Sequence, residues 1–262
     1  TGIKSFFSNL PNHKQQYLKE ISKSINNLYL SMLNDNEEIL IDKTPRYYNF
    51  IEEIHNNFTD AKFIFLFRDP LSIYNSIINS WCNGKYIKKK QLFRDINDGP
   101  KMIADGYNKL RGSERIHLIN YSDLVNDVNN SLLKIYNFLE INDEVKNICL
   151  FKNIDLGNGL GDNIGIKKFK NVSNESDKRW KKDISTLSRK LIFKNYILKI
   201  PDSYFECLGT SREVILKELN ELKTKKIGIY DWFDYQISNF LKNYFFQQSI
   251  KNEFLFRFRN PD

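Results

Sequence analysis

A chain of 262 residues that is 41% hydrophobic and 14% aromatic is long enough to bury a sizeable core and too apolar to be disordered. Its formal net charge of +8 at pH 7 favours an anionic partner such as a phosphorylated small molecule, a nucleic acid, an acidic polymer or a membrane surface, although spread-out lysines also simply solvate a surface. The densest basic stretch, Lys85 to Arg94, comes with no zinc-finger, helix-turn-helix or RNA-recognition signature, so nucleic acid is not the expected partner.

The cysteines and the hydropathy pattern bear on compartment and metals. Cys82, Cys149 and Cys207 are far apart, odd in number and without metal-ligand spacing to any of the three histidines. We therefore expect no metal site and a reducing, cytoplasmic environment. The sequence contains no run of eighteen apolar residues, which argues against a membrane-spanning helix.

The predicted elements begin with an amphipathic helix over Pro11 to Leu33 and a short strand over Glu38 to Asp42. A second helix follows near residues 47–54. Lys62 to Phe67 is an uninterrupted apolar run, typical of a strand that is buried on both faces of a parallel sheet.

Further elements alternate in type along the rest of the chain. They are a helix from Asp69 to about Trp81, a helix over Pro100–Leu110, a strand over Arg115–Tyr121, a helix over Ser131–Leu139 and helical segments from Trp180 to about Phe246. Strands that alternate with helices predict crossover units and a mainly parallel sheet, hence an α/β fold with a helical C-terminal part.

The stretch from Phe63 to Trp81 carries the clearest chemical signal. Arg68 follows the predicted strand, at the sheet edge where open α/β sheets bind ligands. Asp69 is a favourable N-cap and Pro70 a favourable first helical residue. The N–H groups of a helix start and the planar donors of arginine both suit a phosphate. A plain capped helix whose arginine pairs with an aspartate fits the same residues.

Two stripes are predicted on that helix. A polar stripe holds Ser72, Ser76 and Ser80, and the Ser76 hydroxyl could bind the same phosphate as Arg68. Alternatively, the three serines face water. The apolar stripe consists of Leu71, Tyr74, Ile78 and Trp81.

A strand, Arg-Asp-Pro, a helix and a serine eight residues after the arginine together resemble the 3′-phosphate-binding motif of PAPS-dependent sulfotransferases. PAPS is 3′-phosphoadenosine-5′-phosphosulfate, the donor of the transferred sulfuryl group. The resemblance implies that Arg68 and Ser76 hold the donor's 3′-phosphate. The tyrosylprotein branch of the family has a further arginine at the position of Ser80, so that contact is not carried over.

Three more segments resemble the family in the right order. DKTPRYY, from Asp42, resembles the strand-end DKTP of bacterial and heparan-type enzymes and implies that Lys43 stabilises the transition state. NYSDL, from Asn120, resembles a segment whose tyrosine lies near the adenine, which implies that role for Tyr121. The glycine-containing stretch that ends at Trp180 resembles a loop over the donor and implies Lys170 as a donor-binding residue.

The resemblance as a whole implies a P-loop-like, three-layer sulfotransferase fold and an enzyme that transfers a sulfuryl group from PAPS to a glycan, lipid, peptide or metabolite, releasing PAP. It predicts a sulfotransferase domain over residues 1–200, incomplete at its N-terminus, and a helical extension over residues 201–262 packed on it. The family's 5′-phosphosulfate loop is rich in glycine, but no glycine occurs between Gly2 and Gly84. A degenerate PAPS- or PAP-binding module without catalysis is therefore the alternative, while the missing Walker motif disfavours a nucleotide kinase.

An aromatic stretch near the C-terminus predicts one more helix. Its apolar face holds Trp232, Phe233, Ile237, Phe240, Leu241 and Tyr244. Such a face either packs on the domain or lies on a membrane surface. Because the polar face includes Asp231 and Asp234, which anionic lipid would repel, we expect the apolar face to pack on the domain without stable membrane insertion.

Overall fold

The computed structural model describes residues 2–35, 37, 39–141, 174 and 177–241. The chain divides into two compact units, each described here by itself. Unit 1 consists of Thr1–Ala61 with Leu241–Asp262, and unit 2 consists of Lys62–Phe240. In its described part the protein is a mostly helical α/β structure with a small parallel sheet and a helical C-terminal part.

Unit 1 is helical in the residues described. Its helices are α1 (Gly2–Ser8), α2 (His13–Leu30) and α3 (Ile51–Asn57), with a 3-10 turn at Tyr47–Asn49 ahead of α3. The Phe7 and Tyr17 rings pack α1 against α2 with centroids 5.3 Å apart. Helices α2 and α3 confirm the two helices predicted for this region.

The strand predicted over Glu38 to Asp42 is wrong for its described residues. Residues 39–42 form a loop, and the Ile41 side chain is exposed. A short apolar run becomes a strand only when a neighbouring backbone takes its hydrogen bonds. No described segment pairs with residues 39–42.

Unit 2 holds the sheet and most of the helices. Its first part contains β1 (Phe63–Phe67), α4 (Pro70–Ser76), a π-helical turn (Ile77–Trp81), a 3-10 segment (Tyr86–Leu92), α5 (Phe93–Asn97), α6 (Gly99–Leu110), β2 (Ile116–Asn120), α7 (Tyr121–Asn126) and α8 (Val128–Leu139). Its C-terminal part contains α9 (Trp180–Asp183), α10 (Leu187–Ile197), α11 (Asp202–Cys207), α12 (Arg212–Glu221) and α13 (residues 229–241).

The two strands pair in parallel, as their alternation with helices predicts. The register runs from Phe63 beside Ile116 to Phe67 beside Asn120, so both strands end at the same edge. Phe65 and Phe67 are buried against Tyr107 of α6, with ring centroids 5.5 and 5.9 Å away.

Burial of β1 on both faces, however, is not observed. Ile64 and Leu66, which alternate with Phe65 and Phe67, are exposed. An apolar run shows that a strand tolerates burial, but the elements packed on the sheet decide which of its faces is covered.

Helix α4 carries the predicted apolar stripe except at its end. Leu71, Tyr74 and Ile78 are buried, whereas Trp81 is exposed. The helix continues into the π turn, in which the Cys82 N–H bonds to the Ile77 carbonyl at 3.1 Å, five residues back. The wider turn changes the angular spacing that a regular α-helix would give Trp81.

The C-terminal helices pack on α4 and on the loop after it. The Tyr74 ring stacks on Tyr196 of α10 at 4.3 Å. Helix α13 packs within unit 2 through its polar side: the Asp234 carboxylate accepts from the Tyr86 backbone N–H, and the Ser238 hydroxyl donates to the Tyr86 carbonyl at 2.9 Å.

This contact corrects the orientation predicted for that helix. Tyr235 and Ser238 are buried, whereas the apolar residues expected to pack inward, Trp232, Phe233, Ile237 and Phe240, are exposed. Leu241 is partly exposed, and Tyr244 lies outside the described residues. The Asp234 carboxylate satisfies backbone N–H groups at the start of the 3-10 segment, and this polar contact outweighs the tendency of the apolar side to be buried.

No helix in the described ranges is both long and apolar enough to cross a membrane.

Candidate functional site

Arg68 and Tyr121 meet at the carboxyl edge of the sheet. Each directly follows one member of the paired positions Phe67 and Asn120, so the parallel register brings them side by side. The Arg68 guanidinium carbon lies 4.1 Å from the centroid of the Tyr121 ring. Both side chains are half-buried, and a cation held over an aromatic face at this distance is oriented as well as stabilised. The contact holds the planar guanidinium at the sheet edge.

Asp69, the next residue, caps helix α4 as the sequence predicts. Its carboxylate accepts from the Leu71 backbone N–H at 2.8 Å, from the Ser72 hydroxyl at 3.2 Å and from the Trp180 indole N–H at 2.7 Å. Burial raises the pKa of the Asp69 carboxyl, and these three donors oppose that rise. The Trp180 ring, at the start of α9, is fully buried.

The backbone of Arg68 is held from a third direction. The buried Tyr204 hydroxyl, on α11, donates to the Arg68 carbonyl at 2.9 Å. Burial raises the pKa of the Tyr204 phenol, so it remains a neutral donor. Residues from α9 and α11 therefore fix the turn that carries Arg68.

The serines of α4 differ from one another. Ser72 is buried and donates to the Asp177 carbonyl as well as to Asp69, which is a structural role. Ser76 is half-buried at the last position of α4, where the π turn begins. Ser80 is half-buried in the π turn itself. Because its hydroxyl makes these structural hydrogen bonds, Ser72 is not a candidate phosphate ligand.

A polar cluster behind α4 was not found by sequence reasoning. The Asp183 carboxylate accepts from the Asn75 amide at 2.7 Å and the Asn79 amide at 3.0 Å. Arg189 donates to the Asn79 amide oxygen at 2.5 Å. These bonds join α4 and the π turn to α9 and α10. The only local signal was a pair of asparagines four residues apart, and their partners lie more than a hundred residues away.

Lys43 lies in unit 1, exposed in the loop after α2. Its neighbour Asp42 accepts hydrogen bonds from the hydroxyls of Tyr29, Tyr47 and Thr44. Burial would raise the pKa of the Asp42 carboxyl, but these bonds outweigh it and the pKa is lowered. The loop around Lys43 is thereby tied to α2.

Lys170 lies outside the described residues, as does the glycine-containing stretch before it. Among the residues that are described, no group of His, Cys, Asp or Glu is arranged to hold a metal ion.

A comparison with protein families decides the chain's membership. Residues 7–144, more than half of the chain, match the model described as "Sulfotransferase family". The chain belongs to the sulfotransferase family. No curated protein and no solved structure matches it.

The sulfotransferase match covers Lys43, Arg68, Ser76 and Tyr121. Trp180 and Tyr204, which hold the Arg68–Asp69 turn, lie C-terminal to it. Helices that follow the matched region therefore contribute hydrogen bonds to the turn at its sheet edge.

Proposed function

We propose that this chain is a PAPS-dependent sulfotransferase whose 3′-phosphate site is formed by Arg68 and Ser76. The observation that carries the proposal is the placement of Arg68 at the carboxyl edge of the parallel sheet, stacked on Tyr121 and beside the Asp69-capped start of α4. Membership of the sulfotransferase family supports PAPS as the donor. The proposed architecture is the family's P-loop-like three-layer fold, with residues 1–200 as the sulfotransferase domain and 201–262 as a helical extension.

The described residues suit a nucleotide phosphate. The Arg68 guanidinium presents paired donors with the geometry that a phosphate prefers, and the half-buried Ser76 hydroxyl lies two helical turns further along α4. Tyr121 offers an aromatic face where the adenine would lie, and Lys170 would add a further cation. The Asn120 amide oxygen, buried at the same edge with no hydrogen-bond donor from a described residue, is a second polar group available to a ligand.

The proposed reaction is an in-line transfer. The acceptor's hydroxyl or amine gives its proton to a general base as its oxygen or nitrogen attacks the sulfur. The bond between sulfur and the bridging oxygen breaks, and PAP leaves with the electron pair. Lys43 stabilises the negative charge that develops on that oxygen, a contribution worth most in the transition state. Glycans, lipids, peptides and small metabolites are all candidate acceptors, and no metal takes part.

The first test of the proposal is PAP binding measured by calorimetry. Arg68→Ala should weaken binding by about 1.5–3 kcal/mol, the usual cost of a lost charged hydrogen bond. Arg68→Lys keeps the charge without the planar fork, so its PAP affinity should lie between those of the wild type and Arg68→Ala. Arg111→Ala removes an exposed arginine after α6 and should change nothing. Equal affinities for the wild type and Arg68→Ala would disprove the assignment.

A second test separates binding from chemistry at Lys43. Because the proposed role is confined to the transition state, Lys43→Ala should lower the rate of PAPS cleavage at least about tenfold while leaving the PAP Kd within about twofold. Lys19→Ala, on the exposed side of α2, is the matched control. Equal losses in affinity and rate would make Lys43 a ground-state phosphate ligand instead.

One sequence feature favours the non-catalytic alternative, a module that binds PAPS or PAP without turning it over. The residues between Gly2 and Gly84 contain no glycine, and a 5′-phosphosulfate loop relies on glycine for close approach of its N–H groups to the phosphate. Tight PAP binding that is lost in Arg68→Ala, together with no PAPS cleavage above the uncatalysed rate, would favour the module over the enzyme.

A further inference from the structure

The outward side of α13 carries a continuous apolar stripe, defined here as Tyr230, Phe233, Ile237 and Phe240. The spacing of three, four and three residues puts all four on one side of the helix. Their exposed fractions are 93%, 61%, 48% and 72%. Large side chains exposed at consecutive helical positions form a patch, unlike scattered single apolar residues, and such patches mark interaction surfaces.

The acidic residues of α13 point away from this stripe. Asp234 accepts hydrogen bonds from the backbone N–H groups of Tyr86 and Ile87, and Asp231 accepts one from the Thr186 hydroxyl at 2.9 Å. Both carboxylates therefore make the hydrogen bonds by which α13 packs on the rest of unit 2. They do not lie on the side that a partner of the stripe would meet.

Positively charged side chains lie next to the N-terminal end of the apolar stripe. Lys223, Lys225 and Lys226, the lysine run, are exposed in the segment that leads into α13. Ile227 and Ile229, also exposed, connect the lysine run to the apolar stripe. The surface thus combines cations at one end with aromatic and aliphatic side chains along the helix.

We propose that the lysine run and the apolar stripe form a docking surface for an anionic lipid bilayer, with α13 lying in the plane of the interface. Lysines attract anionic headgroups, and Tyr and Phe side chains enter the boundary between headgroups and acyl chains. A second copy of the chain fits this surface less well, because lysine is depleted from protein interfaces. The proposed binding is peripheral. It uses the aromatic side of α13, which the sequence predicts to pack inward but which is exposed.

The experiment is co-sedimentation of the full chain with phosphatidylcholine vesicles, prepared with or without phosphatidylserine, at low and high salt. The wild type should bind the phosphatidylserine vesicles, bind the neutral ones much less and dissociate as salt screens the lysines. Phe233→Ser combined with Phe240→Ser should weaken binding at least about tenfold, because two large side chains no longer enter the bilayer. Lys223→Glu combined with Lys225→Glu should weaken it by a similar factor.

Trp81→Ser is the matched control, since Trp81 is 70% exposed but lies outside the stripe, and it should leave binding unchanged. All these substitutions are at exposed positions, and circular dichroism of each variant would verify the fold. The proposal is overturned if the wild type fails to sediment with phosphatidylserine vesicles at low salt, or if the phenylalanine variant binds as well as the Trp81 variant. A dimer in light scattering that the phenylalanine variant converts to a monomer would also overturn it, in favour of a second copy.

Discussion

Asp69 is a partly buried residue one position after Arg68, and its surroundings explain how the candidate phosphate-binding turn is held. Burial raises the pKa of its carboxyl, whereas donors from Leu71, Trp180 and Ser72 favour the charged form. A group whose folded pKa lies above its unfolded value destabilises the fold increasingly as pH rises from the unfolded pKa, about 3.9, through the folded one. Each lost donor raises the folded pKa further and enlarges that penalty.

Trp180→Phe removes one such donor while keeping an aromatic ring in place. We expect it to lower the free energy of unfolding by about 2 kcal/mol at neutral pH, because the bond is to a charged group. The deficit should shrink as pH falls towards about 4, where Asp69 becomes protonated in both proteins. Urea unfolding at a series of pH values measures it.

The matched control is Trp81→Phe, which alters an exposed indole on the π turn and should cost almost nothing at any pH. A deficit for Trp180→Phe that does not vary with pH would mean that the indole contributes packing alone. It would then have no part in stabilising the Asp69 carboxylate.

The residues of this turn show what a sequence can and cannot predict. Asp69 as an N-cap and Pro70 as the first helical residue follow from local propensity, and both are confirmed. The partners Trp180 and Tyr204 lie 111 and 136 residues away from the residues that they contact. No periodicity or motif spacing in the sequence predicts a hydrogen bond between residues so far apart, so only the folded structure shows it.

At the scale of elements, the strands and helices with strong local patterns were predictable, and the sides that they bury were less so. β1, β2 and their parallel pairing follow from apolar runs that alternate with helices. The side of α13 that packs inward depends instead on Asp231 and Asp234 finding donors on distant segments. Amphipathicity shows that a helix has two sides, but long-range polar contacts can decide which one is buried.

A glycine at the entrance to α13 permits this docking. Gly228 has φ of +79°, and a Cβ there would lie 2.5 Å from both Cβ and Oγ1 of Thr186. Thr186 accepts from the Arg189 N–H to cap α10 and donates to Asp231 of α13. Gly228→Ala should therefore cost about 3 kcal/mol in urea unfolding, since it combines left-handed strain with displacement of Thr186.

Gly209→Ala provides the matched control for Gly228→Ala. Gly209 also has a positive φ, +66°, but a Cβ there would meet nothing within 4 Å. Gly209→Ala should lower the free energy of unfolding by only about 1 kcal/mol, which is the strain of the left-handed conformation. Similar losses for both variants would show that the contact with Thr186 contributes nothing.

At the scale of the whole molecule, helices that follow residue 200 contact the strand and the turn that carry Arg68. Tyr204 of α11 bonds to the Arg68 carbonyl, and its ring packs on Phe67 with centroids 5.3 Å apart. Helix α12 packs on α10, and its Leu219 side chain is fully buried. A segment that shares a core with the sheet should unfold with it in a single cooperative transition.

Leu219→Ala tests that expectation far from the candidate site. A cavity at a fully buried leucine typically costs 2–5 kcal/mol, and we expect about 3 kcal/mol here. If the C-terminal helices and the sheet form one core, the urea midpoints measured by circular dichroism, which follows the helices, and by PAP binding should fall together. Val214→Ala, at an exposed position of the same helix, should leave both midpoints within error. If α12 instead unfolded early while PAP binding kept its wild-type midpoint, the helices after residue 200 would be an independent extension. The contact between Tyr204 and Arg68 would then be dispensable for the nucleotide site.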